Sequence, residues 1–280
     1  RHFDESWLQI RGKAKDLLSL TQSGLVDVAY VGPGFVSDKM PLSVVAELPL
    51  PYTGSCQATL AYWNLAKPGG LLDKKEFAPN GVRLLFTIVL PPYQVITRKP
   101  FASLKDLEGM KIRASGSAKE LLLKELKAVP VLMPTPEVYE SLSRGTIDGV
   151  LFPFNSLAPY GIDKLSKSGT IGSNFGSYVA NWVISEKRYQ SLPPALQKDL
   201  AAMGDELTRS VCKQVERDEA GDVDKTRAAG VQLKPLSPAD QQALEQVAAQ
   251  VATDWAQKLD RRGKSGTEVL NAFKAGLQAK

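Results

Sequence analysis

The sequence predicts an α/β fold built from two domains, and three observations carry that reading. Short runs of aliphatic and β-branched residues alternate with stretches of helical spacing along most of the chain. With 280 residues, 43% of them hydrophobic and 23% charged, the chain can bury one large core or two smaller ones. One helical pattern, from Ala195 to about Ala229, would be on the order of 50 Å long at about 1.5 Å per residue, more than one small domain is wide.

Taken in order, Phe3 to Gln22 carries Trp7, Ile10, Ala14, Leu17 and Leu18 at helical spacing and stops at Ser23-Gly24, in the manner of a glycine C-cap. Leu25 to Val31 follows as a strand. Gly32-Pro33-Gly34 then breaks the chain and presents Tyr30 and Phe35 at the carboxyl end of that strand, where open α/β sheets hold their ligands. Leu42 to Leu50 is an apolar run closed by Pro49 and Pro51, and Ser55 to Leu65 is a helix with Ser55 as its expected N-cap. Val82 to Val89 and Tyr93 to Thr97 are strands parted by Pro91-Pro92, a place for the chain to change layer or domain.

Pro100 to Gly109 is a capped helical turn, Ser117 to Lys127 a helix and Val129 to Met133 a strand. Glu137 to Ser143 is a helix stopped by Gly145. Thr146 to Phe152 is strand-like and ends at Pro153, and Ser177 to Ser185 is a further β-rich run. On the long helix Leu196, Leu200, Met203, Leu207, Val211 and Val215 share the face expected to pack. Val231 to Leu233 is a last strand, and helices from Ala239 to Arg261 and Ser265 to Ala279 close the chain.

Composition excludes several functions. A net charge of +5 is spread among nearly as many acids as bases, with no basic stripe interleaved with aromatics, so nucleic acid is not an expected partner. The single histidine is His2, beside the terminus, which removes the usual general base of Ser-His-Asp and Cys-His hydrolases. No glycine-rich phosphate loop occurs. Cys56 and Cys212 lack metal spacing, so no metal or cofactor is expected; they pair in an oxidising compartment or stay as two separate buried thiols. No apolar run approaches the roughly 20 residues of a membrane span. The first residues, Arg1-His2-Phe3-Asp4-Glu5, do not form a signal peptide, so any targeting segment has been removed or never existed.

The stretch with the clearest chemistry is Gly109-Met110-Lys111-Ile112-Arg113-Ala114-Ser115-Gly116, a short strand that ends in an arginine and opens into a helix. Unpaired N–H groups at the helix start and a planar guanidinium beside them suit a carboxylate. A surface salt bridge is the plainer reading of the same arginine.

The order of these pieces resembles the substrate-binding proteins of tripartite ATP-independent periplasmic (TRAP) transporters. The segments that carry the resemblance are Ser23-Gly24-Leu25-Val26-Asp27-Val28-Ala29-Tyr30, Ser103 to Arg113, and Pro136 to Leu142 with Gly145-Thr146-Ile147-Asp148-Gly149, followed by Leu192-Pro193 ahead of the long helix. It spans residues about 20 to 235. At the front the family normally has a strand, a helix and a second strand ahead of the segment matching residues 1–22, and the present sequence departs from that.

The resemblance implies a periplasmic-binding-protein-like fold: two α/β domains, 1–90 with 180–218 and 91–179 with 219–280, joined by a hinge and bridged by the long helix at about 195–229. It implies a periplasmic protein, not an enzyme, that closes on a small organic acid and delivers it to TRAP membrane permease subunits. It places the ligand carboxylate on Arg113, with Ser115 and Gly116 facing it, Phe152 as a ligand contact, Thr135 in the position of a common aromatic wall and Tyr178 in a further pocket position. Phe35, Tyr93 and Phe154 complete the expected walls, which favour an aromatic or aliphatic body over a hydroxylated sugar acid. Two other readings remain: an α/β enzyme using Asp148, Glu137 or Lys111 as acid or base, and the ligand-sensing part of a regulator.

Overall fold

The computed structural model describes residues 13–279. Of the expected first helix only α1 (Leu17–Gln22) falls among them, and its beginning at Phe3 lies outside the described residues. The chain continues through β1 (Val28–Val31), α2 (Ser55–Ala66), β2 (Val82–Val89), β3 (Gln94–Thr97), β4 (Lys111–Ala114), α3 (Ser117–Glu125), β5 (Val129–Leu132), α4 (Val138–Arg144) and β6 (Gly149–Phe152). It ends with α5 (Ile162–Leu165), β7 (Ser168–Thr170), β8 (Val179–Ser185), α6 (Glu186–Gln190), α7 (Pro194–Ala228), β9 (Gln232–Lys234), α8 (Pro238–Asp260) and α9 (Gly266–Gln278). The apolar run after Pro41 is a 3-10 turn, Leu42–Glu47, buried throughout.

The strands form two sheets, the larger of them mixed. One has three strands in the order β1-β8-β2, all antiparallel. The other has six in the order β5-β4-β6-β3-β7-β9, with β4 parallel to both its neighbours. Side chains alternate across the six-stranded sheet, so Val95, Ile112 and Leu151 join the large core shared with the three-stranded sheet, while Ile96, Val150 and Phe152 form a second core on the other face.

Helix α7 is 35 residues long and touches both parts, packing on α2 and β2 along its first half and on the turn Phe154–Ser156 further on. Its buried face is shifted from the expected one, of which Val211 and Val215 pack against the core. Leu196 and Met203 are 43% and 48% exposed, and the residues buried on the sheet are Gly204, Thr208 and Cys212. Close approach is the reason: a Cβ at Gly204 would lie 2.2 Å from the Leu85 carbonyl oxygen, and Thr208 Oγ1 accepts from Thr87 N at 3.3 Å. Small residues let the helix sit down on β2, and the larger aliphatics flank that seam.

One further expectation is corrected, and two further features add to the sequence reading. Gly54, not Ser55, is the N-cap of α2; Ser55 Oγ instead donates to the Val89 carbonyl. Strand β7, Ser-Gly-Thr, has no apolar pattern to announce it, yet it joins β3 to β9. Helix α8 packs on α3, and α9 packs on α8, on α2 and on the Leu42–Glu47 turn.

Cys56 on α2 and Cys212 on α7 form a disulfide across 156 residues of sequence. It ties the long helix to the three-stranded sheet's own helix. Replacing both cysteines with serine should therefore lower stability by about 2–4 kcal/mol, the usual contribution of such a link, read as a lower urea midpoint. Thiol titration of the denatured protein should find none before reduction and both after it.

Candidate functional site

Arg113 comes from β4, which lies between β5 and β6, and its guanidinium projects onto the face that carries Phe152. The side chain is 1% exposed. Nε donates to the Met133 carbonyl at 3.1 Å, a second nitrogen donates to Thr135 Oγ1 at 3.1 Å, and the third makes a long contact, 3.5 Å, to the Leu151 carbonyl. Its carbon sits 4.8 Å from the centre of the Phe152 ring, a cation–π contact. No carboxylate lies within ion-pair distance of it among the described residues. Burial pushes its pKa down to about 10, partly offset by the surrounding tyrosines, so the group remains a cation at neutral pH.

Aromatic rings enclose this cation. Tyr93 lies 6.3 Å from Phe152, Phe152 6.2 Å from Tyr160, and Tyr178 6.1 Å from both Tyr30 and Phe35, measured between ring centres. Burial pushes the Tyr30, Tyr93 and Tyr178 hydroxyls well above the ordinary phenol range, so all three stay neutral. Ser115 Oγ is buried beside the Tyr93 hydroxyl and makes no hydrogen bond of normal geometry. A buried hydroxyl left so is unfavourable unless something else completes it.

The structure thus brings Arg113, Ser115, Thr135, Phe152, Tyr93, Tyr178 and Phe35 into one cluster. Phe154 does not join it. With Tyr52, Gln94, Asn174 and Val223 it lines a different cavity, of about 970 Å³. That cavity is the weaker candidate because its charged lining residues, Glu219, Glu245 and Lys274, are at least partly exposed, while Gln94 donates to the Pro92 and Ser173 carbonyls and Asn174 to the Leu50 carbonyl at 2.8 Å. Size does not decide here; the uncompensated buried charge does.

Sequence reasoning missed two residues at this site. Glu47 ends the Leu42–Glu47 turn and Lys119 lies in the first turn of α3; they form an ion pair at 3.3 Å with both side chains fully buried. Lys119 Nζ also donates to the Ser177 carbonyl and lies 5.1 Å from the Tyr93 ring centre. Glu47 Oε1 accepts from Gly34 N at 3.2 Å. The fit depends on two glycines, since a Cβ on Gly34 or Gly116 would fall 2.5 or 2.7 Å from Glu47 Oε2. A lone acid in an otherwise apolar run was the one available signal for Glu47. Of the acid–base candidates, Asp148 accepts from Lys111 N at 2.9 Å and serves the backbone.

Residues 9–258 match the family described as DctP, bacterial extracellular solute-binding protein, family 7. The ectoine-binding periplasmic protein TeaA of Halomonas elongata is 24% identical over 273 residues, covering 96% of this chain and 78% of that protein. A TRAP solute-binding protein from Rhodoferax ferrireducens, solved with copurified benzoate, superposes with a TM-score of 0.85 at 23% identity, over 96% of this chain and 84% of that one. Another from Bordetella bronchiseptica, with bound mandelate, gives 0.84 at 24% identity, over 95% and 85%. The chain belongs to family 7 of the bacterial extracellular solute-binding proteins, and its two-domain α/β fold is that of TRAP solute-binding proteins.

A buried, unpaired cation is a burden on the unliganded fold. Arg113→Met should leave the ligand-free protein at least as stable as wild type by calorimetry. A loss of more than about 2 kcal/mol, beyond what its hydrogen bonds to neutral groups normally contribute, would mark the arginine as a structural element instead.

Proposed function

We propose that this family member captures a small organic acid in the cleft between its two sheet-based units, with the ligand carboxylate on Arg113, and hands it to the membrane subunits of a TRAP transporter from the periplasm. The observation that carries the proposal is the Arg113 guanidinium, fully buried and without a carboxylate partner, in a site that also buries the Ser115 hydroxyl without a hydrogen bond of normal geometry. A ligand carboxylate satisfies both, by charge-assisted hydrogen bonds that strengthen when water is excluded.

Phe152, Tyr93, Tyr178 and Phe35 give the rest of the ligand an aromatic enclosure, which suits a ring or short aliphatic body. The benzoate and mandelate of the two related structures are carboxylates on such a body. One jaw is the three-stranded sheet with α2, α9 and the first half of α7; the other is the six-stranded sheet with α3, α4 and α8. The jaws close by rotation about the crossings between the sheets, with α7 and the α8–α9 pair spanning them.

Thermal shift of ligand-free protein against small carboxylates tests this. A true ligand at about 100 times its Kd should add roughly 2.7 kcal/mol of stability. Arg113→Ala should weaken its binding by at least about 2 kcal/mol, the penalty of unpairing a buried charge; unchanged affinity would remove Arg113 from the carboxylate role.

A further inference from the structure

The charge of the closed site follows from which titratable groups are buried in it. Arg113, Glu47 and Lys119 are the buried charged side chains at the cleft. The other buried acids among the described residues are held elsewhere, Glu76 by the backbone N–H groups of Leu42 and Ser43, and Asp163 by that of Lys164. The wall phenols stay neutral.

Glu47 and Lys119 cancel. Burial pushes the Glu47 carboxyl up and the Lys119 ammonium down, while each opposes the other's shift. Whichever of the two holds the proton, the pair sums to zero. The site is therefore left with one positive charge, that of Arg113.

Lys119 is nevertheless close enough to matter. Its ammonium lies against the Tyr93 ring at 5.1 Å, that ring lies 6.3 Å from Phe152, and Arg113 stacks on Phe152 at 4.8 Å. One aromatic ring separates a second cation from the site. Glu47 holds that cation back, and its own position is enforced by Gly34 N and by the absence of a side chain at Gly34 and Gly116.

We propose that the site selects ligands of one net negative charge, and that Glu47 is the specificity-determining residue because it neutralises Lys119. This rests on Arg113 being the carboxylate partner. In a dry cleft an uncompensated charge is strongly disfavoured. A monocarboxylate brings the total to zero, a dicarboxylate leaves a buried negative charge, and a zwitterionic amino acid leaves its own ammonium uncompensated.

The test is calorimetric titration of ligand-free protein with matched pairs, benzoate against isophthalate and butanoate against succinate. Wild type should bind the monocarboxylate of any responding pair at least about tenfold more tightly, a difference of about 1.4 kcal/mol. Glu47→Gln with Lys119→Arg places there a cation that keeps its proton when buried and should shrink that ratio about tenfold or reverse it. Glu47→Gln with Lys119→Met restores a site charge of one and should restore the wild-type ratio. A dicarboxylate bound as tightly as its partner by wild type, or a ratio unmoved by Glu47→Gln with Lys119→Arg, overturns the inference while leaving the carboxylate reading intact. Should the variants not fold, the wild-type ratio alone decides. A wild-type protein that binds no acid overturns the carboxylate reading, and the selectivity with it.

Discussion

The guanidinium of Arg113 has been taken out of water on the middle strand of a three-strand group, and nothing within the described residues returns a negative charge to it. Everything around it can be understood as accommodating that fact. Main-chain carbonyls of Met133 and Leu151 and the Thr135 hydroxyl hold the group in a fixed orientation. Phe152 offers its face to the cation. The neutral phenols of Tyr30, Tyr93 and Tyr178 close the remaining directions without supplying a counter-charge. Such an environment orients a cation well and solvates it poorly, which is how a binding site retains its affinity for an anion.

The same constraint explains why the two sheets meet where they do. The first turn of α3, just after Arg113 in sequence, approaches the Leu42–Glu47 turn so closely that only glycine fits at 34 and 116. At that contact the fold places a second, internally balanced pair, Glu47 with Lys119, and uses the Ser177 carbonyl to fix the ammonium. One cleft thus contains a charge that is compensated within the protein and a charge that is not. The disulfide from α2 to α7 secures the long helix that spans both units.

Much of this architecture was legible in the sequence, because strong periodicity and strong punctuation mark elements clearly. Val82–Val89 is a strand with the expected limits, and Gly145 ends α4 in the left-handed conformation that a glycine stop implies. Arg113 could be singled out because a strand ending in arginine just ahead of a helix suits an anion and because the family resemblance places the carboxylate there. What could not be read was of a different kind. Glu47 and Lys119 are 72 residues apart and become partners only through tertiary packing. The α7 seam of Gly204, Thr208 and Cys212 is made by close approach and not by apolar area, so a search for an aliphatic stripe picked the neighbouring face. Phe154 follows Phe152 by two residues, but Pro153 intervenes and Phe154 opens a 3-10 turn, and it lines another cavity.

The central claim is that the ligand carboxylate meets Arg113, and a crystal structure with a bound monocarboxylate tests it most directly. The account expects both carboxylate oxygens within hydrogen-bond reach of the guanidinium, about 2.7–2.9 Å, with the Ser115 hydroxyl turned toward one of them and the body of the ligand against Phe152 and Tyr178. A carboxylate found instead in the cavity lined by Tyr52 and Gln94, with Arg113 still bound only to Met133, Leu151 and Thr135, would contradict it.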